Sequence, residues 1–370
     1  MKENKARVIA FYLPQYHPIP ENDKYWGKGF TEWTNVAKAK PLFRGHYQPH
    51  IPADLGFYDL RLPEVREAQA ELARDAGIEG FCYYHYWFGN GKMLLQKPFE
   101  EVLRLGKPDF PFCLCWANHD WTTKTWVKGS SMVNNTMIAQ QEYLGEQDDI
   151  KHFEYCLRAF KDHRYITIEG KPIFLIYDPL SFPNVKEFMN RWNFLAKKNN
   201  LKGIYFIGVT TGRQSSYKIV TNLGFDGVCH NRRWEAEAKA AGFRFVRRMQ
   251  SLLGWHLGIS LMKYEYNKVV RNYDTPENKL ENCYPVITPG FDRTPRAGRR
   301  AGIYVNSSPK NFKKHVAEVC KSIQDKDDDH RLVFLSAWNE WGEGNYMEPD
   351  LKWGHGYLEA LKSVVKFQIK

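Results

Sequence analysis

Residues 331–344 read RLVFLSAWNEWGEG and join a strand pattern to a loop that carries two carboxyl groups. The run 331–337 is short, apolar and rich in β-branched and aromatic residues, which predicts a strand. The two glycines that follow allow the backbone to turn tightly. The stretch therefore predicts a buried strand that delivers Glu340 and Glu343 into one loop.

Glu340 and Glu343 are three residues apart, and residues at that spacing on a helical turn lie about 5–6 Å apart at Cβ. We expect both carboxyl groups to face one cavity. One of their pKa values should then rise, which gives the acid and base that glycosidic-bond chemistry needs. The alternative is a pair of solvated glutamates in surface ion pairs. Trp338 and Trp341 favour a site, because indole rings beside acids suit a sugar pocket.

The rest of the chain alternates strand and helix patterns. Strands are predicted at 7–13, 78–84, 112–116, 173–177, 204–209, 224–229, 284–287 and 331–337, and helices at 62–76, 98–105, 148–161, 185–198, 311–323 and 356–367. The strands are nearly continuous in apolar residues, as in a buried parallel sheet. We predict an α/β fold, a (β/α)8 TIM barrel with elaborated βα loops, among them an irregular segment at 18–58, as a single domain over residues 1–370. An open doubly wound sheet is the alternative, but residues 13–16, Leu-Pro-Gln-Tyr, are not its phosphate-binding glycine turn.

In such a barrel the active site lies at the carboxyl ends of the strands. Eight of the 12 tryptophans follow predicted strand ends, namely Trp26, Trp33, Trp87, Trp116, Trp121, Trp126, Trp338 and Trp341. Indole rings there stack on sugars, and nearby polar groups bond their hydroxyls. The predicted substrate-binding residues are Tyr12, Gln15, Tyr16, Glu32, Trp33, Tyr84, His85, Trp87, Trp116, Asn118, Asp120, Trp121, Trp338, Asn339 and Trp341. For His85 and some of the tryptophans, packing at the barrel end is the alternative.

The net charge of +11 favours acidic partners. The excess gathers at Arg232, Arg233, Arg244, Arg247, Arg248, Arg293, Arg296, Arg299 and Arg300, followed by Lys310, Lys313 and Lys314. One interpretation is a solvated helix face. The other is a site around residues 244–248 for an anionic substrate or a lipid-linked diphosphate. No nucleic-acid-binding motif accompanies the charge, so we predict no nucleic-acid partner.

Seven cysteines lie mostly in apolar runs, which predicts reduced core residues of a cytoplasmic protein. No Cys or His pairs at zinc spacing support a metal site, and we predict no metal and no cofactor. The chain starts without a signal-peptide apolar segment and has no run of 18 apolar residues, so we predict no transmembrane segment and leave peripheral membrane association open. The acids at 327–329 precede the last strand and are predicted to form a solvated turn at the opposite end of the barrel.

Five segments resemble the WbsX-like family: FYLPQYHP at 11–18, WGKGFTEW at 26–33, GFCYYHYWF at 80–88, CWANHDW at 115–121 and SAWNEWGEGNYMEP at 336–349. That family is named as glycosyltransferases of O-antigen and capsular polysaccharide loci, and its domain is similar to glycoside hydrolase family 99, the endo-α-mannosidase group. The resemblance covers essentially the whole chain and implies a (β/α)8 barrel with a retaining, metal-free mechanism. At matching positions, it implies that Glu340 contacts the sugar 2-hydroxyl and that Glu343 is the general acid and base. The 2-oxygen itself then attacks the anomeric carbon.

We therefore predict a carbohydrate-active enzyme with two catalytic glutamates. It would cleave or transfer a glycosidic bond of a mannose-type or related sugar in a cell-surface polysaccharide, O-antigen or lipopolysaccharide. One alternative is a nucleotide-sugar-dependent glycosyltransferase of O-antigen or capsule biosynthesis, although no nucleotide-binding motif is present. A non-catalytic carbohydrate-binding barrel is the other alternative.

Overall fold

Eight parallel strands form the centre of the computed structural model, which describes residues 6–123, 136–211, 215–241 and 262–365. They are Arg7–Tyr12 (β1), Gly80–Trp87 (β2), Phe112–Trp116 (β3), Lys171–Ile176 (β4), Tyr205–Val209 (β5), Gly227–His230 (β6), Cys283–Ile287 (β7) and Leu332–Leu335 (β8). Each strand pairs in parallel with the next one, and β1 also pairs with β8, so the sheet closes on itself. The predicted (β/α)8 barrel is confirmed.

Helices connect the strands, and each of the six predicted helices is present within a few residues of its predicted position. The longer helices are Pro63–Ala76, Lys97–Leu105, Glu146–Phe160, Val185–Lys198, Arg233–Ala240, Pro309–Ser322 and Gly356–Val365; shorter ones are Pro20–Trp26, Glu32–Lys38, Tyr217–Asn222, Tyr266–Val270 and Thr294–Ala297. The helix Pro63–Ala76 begins with a proline in its first turn and ends at Gly77, which has a φ of 88°. That left-handed conformation favours glycine, which is why the helix ends there.

Aromatic side chains fill the upper part of the barrel interior. The Phe11 ring stacks on Tyr84 with centroids 5.5 Å apart and on Phe334 with centroids 5.4 Å apart. Every residue of β3, β5, β7 and β8 is buried, as expected for strands covered on both faces. Phe11 and Tyr84 form the floor of a cavity at the carboxyl ends of the strands.

The loops contain more regular structure than predicted. The segment 18–58 holds the helices Pro20–Trp26 and Glu32–Lys38, each only seven residues long. Two turns are too short to show a clear helical period in the sequence. The strands Met262–Glu265 and Gly302–Val305, which pair in parallel, were also missed. Trp126 and the arginines 244, 247 and 248 lie outside the described residues.

The amino-terminal end of the barrel carries the acids at 327–329. All three are exposed, and Asp329 forms an ion pair with Arg7 at 3.6 Å. None of the helices within the described ranges is long and apolar enough to span a membrane. The assignment of residues 1–370 to a single domain stays a prediction.

Candidate active site

A small hairpin after β8 carries the two glutamates. Asn339–Glu340 pairs antiparallel with Asn345–Tyr346, and the 3-10 turn Trp341–Glu343 joins them. Gly344 closes the turn with a φ of 55°. A Cβ atom at this position would lie 2.8 Å from the Cβ atom of Asp292, so both the backbone conformation and the space require glycine.

The hairpin is tied to the segment that follows β1. The Asn339 amide accepts a hydrogen bond from the Leu13 backbone N–H at 2.8 Å and donates one to the Leu13 carbonyl at 3.1 Å. The Tyr16 hydroxyl donates to the Asn339 carbonyl at 2.6 Å and accepts from the Trp341 N–H at 3.1 Å. All of these groups are buried, so the position of the hairpin backbone is fixed relative to the barrel.

A buried carboxyl group supports the hairpin from behind. Glu348 accepts hydrogen bonds from the Trp341 indole N–H, from the Tyr58 hydroxyl at 2.9 Å and from Gln69 Nε2 at 2.6 Å. Burial raises the pKa of Glu348 to about 7 in spite of these donors. The Trp341 ring also stacks on Tyr346 with centroids 3.7 Å apart. Trp341 is therefore held on its face and at its edge.

One guanidinium group joins three carboxyl groups. Arg296 Nη1 lies 2.6 Å from Glu343 Oε1, and Nη2 lies 2.9 Å from Glu340 Oε2. Glu32 contacts the same guanidinium through Nε at 3.1 Å and Nη2 at 2.9 Å. The Arg296 side chain is only 5% exposed. The spacing argument that brings Glu340 and Glu343 into one cavity thus agrees with the structure, but the cation between them was not foreseen.

The two glutamates differ in charge. Burial raises the pKa of Glu340 to about 7, and the nearby Glu343 and Glu32 add to this while Arg296 opposes it. Burial also acts to raise the pKa of Glu343, but Arg296, Arg293 and Arg233 together outweigh it and lower the pKa to about 2. Glu343 forms ion pairs with Arg293 at 3.4 Å and Arg233 at 3.8 Å, which Glu340 does not share. Glu343 is therefore the ionised carboxylate of the pair at neutral pH, and Glu340 is the one that takes up a proton more readily.

Gly342 allows the turn to pack against the ion pair of Glu32 and Arg296. A Cβ atom there would lie 1.8 Å from Glu32 Oε1 and 2.9 Å from Arg296 Nε. The backbone of the turn therefore packs directly against the buried ion pair, and no larger residue fits.

Glu340 and Glu343 line a cavity of about 330 Å³ at the carboxyl ends of the strands. Its aromatic lining includes Tyr84, Tyr86, Trp121, Tyr177, Trp234, Tyr273, Phe291 and Tyr304, and its polar lining includes Gln15, Asn231, Asn345, Arg233, Arg293 and Arg296. Of the predicted substrate-binding residues, Gln15, Tyr84 and Trp121 line this cavity. An aromatic cavity with a few charged groups is typical of a carbohydrate site.

Seven further predicted residues lie behind the hairpin or are buried within it. They are Tyr12, Tyr16, Glu32, Trp33, Trp338, Asn339 and Trp341, all of them buried and none among the cavity-lining residues. The Tyr12 hydroxyl donates to Gln69, and the Trp33 indole N–H donates to the Tyr58 carbonyl at 2.8 Å. These side chains position the site from outside the cavity. Their predicted direct contact with substrate is not supported by this placement.

The residues predicted on β2 and β3 divide between the two faces of the barrel wall. β2 continues to Trp87 instead of ending at residue 84, so its side chains alternate through the aromatic cluster. Tyr84 and Tyr86 face the cavity, whereas His85 and Trp87 point outward. His85 Nε2 lies 2.8 Å from His152 Nε2, and burial lowers the pKa of His85 to about 3. His85 therefore has the packing role that was the alternative.

Three more predicted residues pack or form hydrogen bonds outside the cavity. The Trp116 ring packs against His152, with centroids 4.7 Å apart, on the outer face of β3. Asn118 donates to the Tyr143 hydroxyl and the Asp178 carbonyl and accepts from the Asp178 N–H. Asp120 is exposed and accepts from the Gln141 N–H at 2.8 Å.

Sequence reasoning missed the arginines of the site. Arg296 was counted in a basic cluster for which a solvated helix face was one interpretation, but it is buried in the short helix Thr294–Ala297 that follows β7. Arg233 and Arg293 also line the cavity. The available signal was their position directly after predicted strands six and seven. By contrast, Lys310, Lys313 and Lys314 are exposed, in agreement with a solvated helix face.

A second cavity of about 300 Å³ lies beside the first, and Phe291 and Tyr304 line both. Its carboxyl groups are bonded within the protein: Asp292 contacts His46 and Gln48 at 2.7 Å, and Asp350 accepts from the Tyr346 hydroxyl. The first cavity has the shared glutamates and the arginines, so we place the chemistry there.

A family model described as "Glycosyltransferase WbsX" matches residues 8–361. The chain belongs to the WbsX glycosyltransferase family. It is 34% identical over 361 residues to the "Uncharacterized protein WxcX" of Xanthomonas campestris pv. campestris strain B100, and equally to that of strain ATCC 33913. These matches cover 97% of this chain and 50% of the relatives, so the chain spans about half their length.

Solved structures share the fold of this WbsX family member. The GH99 endo-α-mannosidase from Bacteroides thetaiotaomicron aligns with a TM-score of 0.56 at 16% identity, over 97% of this chain and 96% of that one. A "Glycoside hydrolase-like protein" aligns with a TM-score of 0.59 at 15% identity, over 100% and 96% of the two chains. The family and the fold together support a carbohydrate-active enzyme.

Proposed function

We propose that this chain cleaves or transfers a glycosidic bond with retention of configuration, using Glu340 and Glu343. The observation that carries the proposal is the pair of carboxyl groups on one Arg296 guanidinium at the wall of an aromatic cavity. Contact with one guanidinium suits the short carboxyl separation of retaining enzymes, about 5–5.5 Å. The proposed substrate is a mannose-type or related sugar in a cell-surface polysaccharide or O-antigen.

The charges favour a division of roles opposite to the one the family resemblance implies. A general acid must hold a proton at the working pH, and Glu340 does so with a pKa of about 7. Glu343, with a pKa of about 2, is held ionised by three arginines and is poorly suited to donate a proton. We therefore assign proton donation to Glu340. Glu343 is proposed to stabilise, or to attack, the anomeric carbon as positive charge develops there.

In this scheme Glu340 protonates the glycosidic oxygen while its bond to the anomeric carbon breaks. The carbon is captured on its other face by Glu343 or by the sugar's own 2-oxygen. Water, or a hydroxyl group of a second sugar, then attacks the same carbon and gives up its proton to Glu340. After both steps Glu340 is protonated and Glu343 is ionised again. Where the 2-oxygen attacks, Glu343 accepts the 2-hydroxyl proton in the first step and returns it to the sugar in the second.

Leaving-group dependence tests these roles. Once a digestion screen has identified a cleaved glycoside, Glu340→Gln should lose turnover of the natural linkage but retain it on a dinitrophenyl glycoside, whose leaving group needs no proton. Glu343→Gln should be inactive on both. Glu359→Gln, at an exposed helical position, is the matched control. The opposite pattern, with rescue of Glu343→Gln only, would restore the roles that the resemblance implies.

A nucleotide-sugar-dependent glycosyltransferase of O-antigen or capsule biosynthesis is the second proposal, favoured by the family's description and by arginines in the cavity. Titration with nucleotide sugars distinguishes it, since a hydrolase would bind oligosaccharide alone. A non-catalytic carbohydrate-binding barrel would bind sugar without turnover, and its binding would survive both glutamine substitutions. We also propose a cytoplasmic location, supported by seven free cysteine thiols.

A further inference from the structure

We propose that Arg233 and Arg293 bind an anionic group of the substrate, a carboxylate or a phosphate, beside Glu343. The inference rests on the proposed function, because it places this anion on the sugar, or on the leaving group, at the bond to be broken. It differs from the predicted anion site at residues 244–248, which lie outside the described part of the chain.

The donor groups of these two arginines are not used up within the protein. Both side chains line the cavity, and they are 28% and 36% exposed, whereas Arg296 is 5% exposed. Among the described residues, neither side chain donates a hydrogen bond, and Arg293 Nε is buried without a hydrogen-bond partner. Their contacts with Glu343 are ion pairs at 3.4 and 3.8 Å. Guanidinium N–H groups therefore remain available to a ligand in the cavity.

Arg233 is held in one orientation before any ligand arrives. Its guanidinium lies 4.9 Å from the Trp234 ring centroid and 4.6 Å from the Phe291 ring centroid. Glu237, which is buried and does not line the cavity, forms an ion pair with it at 3.9 Å. A planar guanidinium fixed in this way is suited to two parallel hydrogen bonds to a carboxylate or phosphate.

The charge of the cavity wall also favours an anion. Three guanidinium groups line it, and Glu340 and Glu343 are the two glutamates among the lining residues. Glu32 and Glu237 pair with Arg296 and Arg233 from outside the cavity. Arg296 bonds Glu343 at 2.6 Å, whereas Arg293 and Arg233 contact it only in longer ion pairs at 3.4 and 3.8 Å. A buried or half-buried cation is stabilised by a bonded anion, and a substrate anion would supply it.

Binding to matched probes tests the inference. The full chain is titrated with methyl glucuronide, methyl glucoside and inorganic pyrophosphate, and indole fluorescence reports binding because Trp121 and Trp234 line the cavity. We expect at least one anionic probe to bind about tenfold more tightly than the neutral glycoside, with an affinity that falls as salt is added. Preference for the glucuronide assigns the anion to an acidic sugar, and preference for pyrophosphate assigns it to a phosphorylated leaving group.

The arginine variants complete the test. Arg293→Gln and Arg233→Gln should each weaken anion binding about tenfold, which is a larger loss than the change in affinity for methyl glucoside. Arg293→Lys should keep part of the affinity, which also shows that the site is folded, and Arg299→Gln, at an exposed position in the same segment, is the control.

The inference is overturned if the anionic probes do not bind, or bind no more tightly than methyl glucoside. It is also overturned if both glutamine variants bind the anionic probes as tightly as the wild type. If methyl glucoside binds without any preference for charge, the anion site is wrong while the proposed function stands. If pyrophosphate binds and no oligosaccharide binds or is cleaved, the anion site stands and the proposed function fails.

Discussion

Replacing Arg296 with methionine should destabilise the protein, and the loss should grow as the pH rises. The guanidinium makes four contacts of 2.6–3.1 Å with Glu32, Glu340 and Glu343. Removing one partner of a buried ion pair costs about 3–5 kcal/mol of unfolding free energy. Three carboxyl groups lose their shared cation here, so we expect the upper part of this range at pH 8.

The direction of the pH dependence follows from the carboxyl groups. The lowered pKa of Glu343 gives the wild type a stabilisation that is present above the unfolded value of about 4.3 and is lost only as the pH falls through about 2. Without Arg296 the pKa values of all three glutamates rise. The folded variant then binds more protons than the unfolded chain above about pH 4, so its stability falls with increasing pH.

Urea unfolding followed by tryptophan fluorescence measures this effect at pH 5 and pH 8. We expect the cost of Arg296→Met to be smaller at pH 5 by about 1–2 kcal/mol, because protonated carboxyl groups no longer need the cation. The matched control is Arg299→Met at an exposed site, which should change the unfolding free energy by less than about 0.5 kcal/mol. A cost for Arg296→Met that is equally small, or independent of pH, would refute the role of this arginine.

Three further predictions test the surroundings of the site. Gly342→Ala should cost about 1–3 kcal/mol in urea unfolding and abolish turnover, because its Cβ atom would lie 1.8 Å from Glu32 Oε1; unchanged turnover would contradict this. Glu348, whose folded-state pKa of about 7 exceeds the unfolded value, makes the wild type less stable as the pH rises from about 4 to 7. Glu348→Gln should make this slope shallower in urea unfolding, with Glu340 supplying the remainder, and should weaken the support of Trp341. Trp234→Ala, at a side chain 41% exposed on the cavity, should weaken saccharide binding by about 1 kcal/mol in titration without a comparable loss of stability.

The barrel could be predicted because each strand is buried on both faces and reads as an apolar run. Strand positions agree with the prediction, and most ends differ by one to three residues, where apolar character continues into a loop or stops before the hydrogen bonds do. At β2 the difference mattered. The strand continues to Trp87, and the alternation of its side chains sends His85 away from the cavity.

Sequence reasoning found the carboxyl pair but not its cation. Glu340 and Glu343 are close in sequence, so the geometry of a single turn brings their side chains together. Arg296 lies 44 residues from Glu340 and 264 from Glu32, and only the closed barrel brings these three loops into contact. An arginine in a basic run looks solvated in the sequence, because nothing local shows that three acids surround it. The lowered pKa of Glu343 depends on that long-range contact, whereas burial raises the pKa of Glu340 in spite of it.

The tryptophans also show why the expectation of indole rings on the substrate at the strand ends was met only in part. Among those in the described residues, Trp121 lines the cavity, but Trp33 and Trp338 are buried behind the hairpin and Trp341 is buried within it. Tyrosines such as Tyr84 and Tyr177 line the cavity in their place, with Trp121 and Trp234. A large ring at a strand end can face the substrate or support the loop that does, and the choice depends on which hydrogen-bond partner its polar edge finds.

The indole N–H of Trp341 bonds the buried Glu348, so this tryptophan supports the hairpin from behind. The carboxyl groups divide in the same way. Glu32 is fully enclosed and bonds Arg296 twice, so it orients the guanidinium, which in turn holds Glu340 and Glu343. The acids of the site are therefore ordered by distance from the cavity, and only the outer two are placed to meet a sugar.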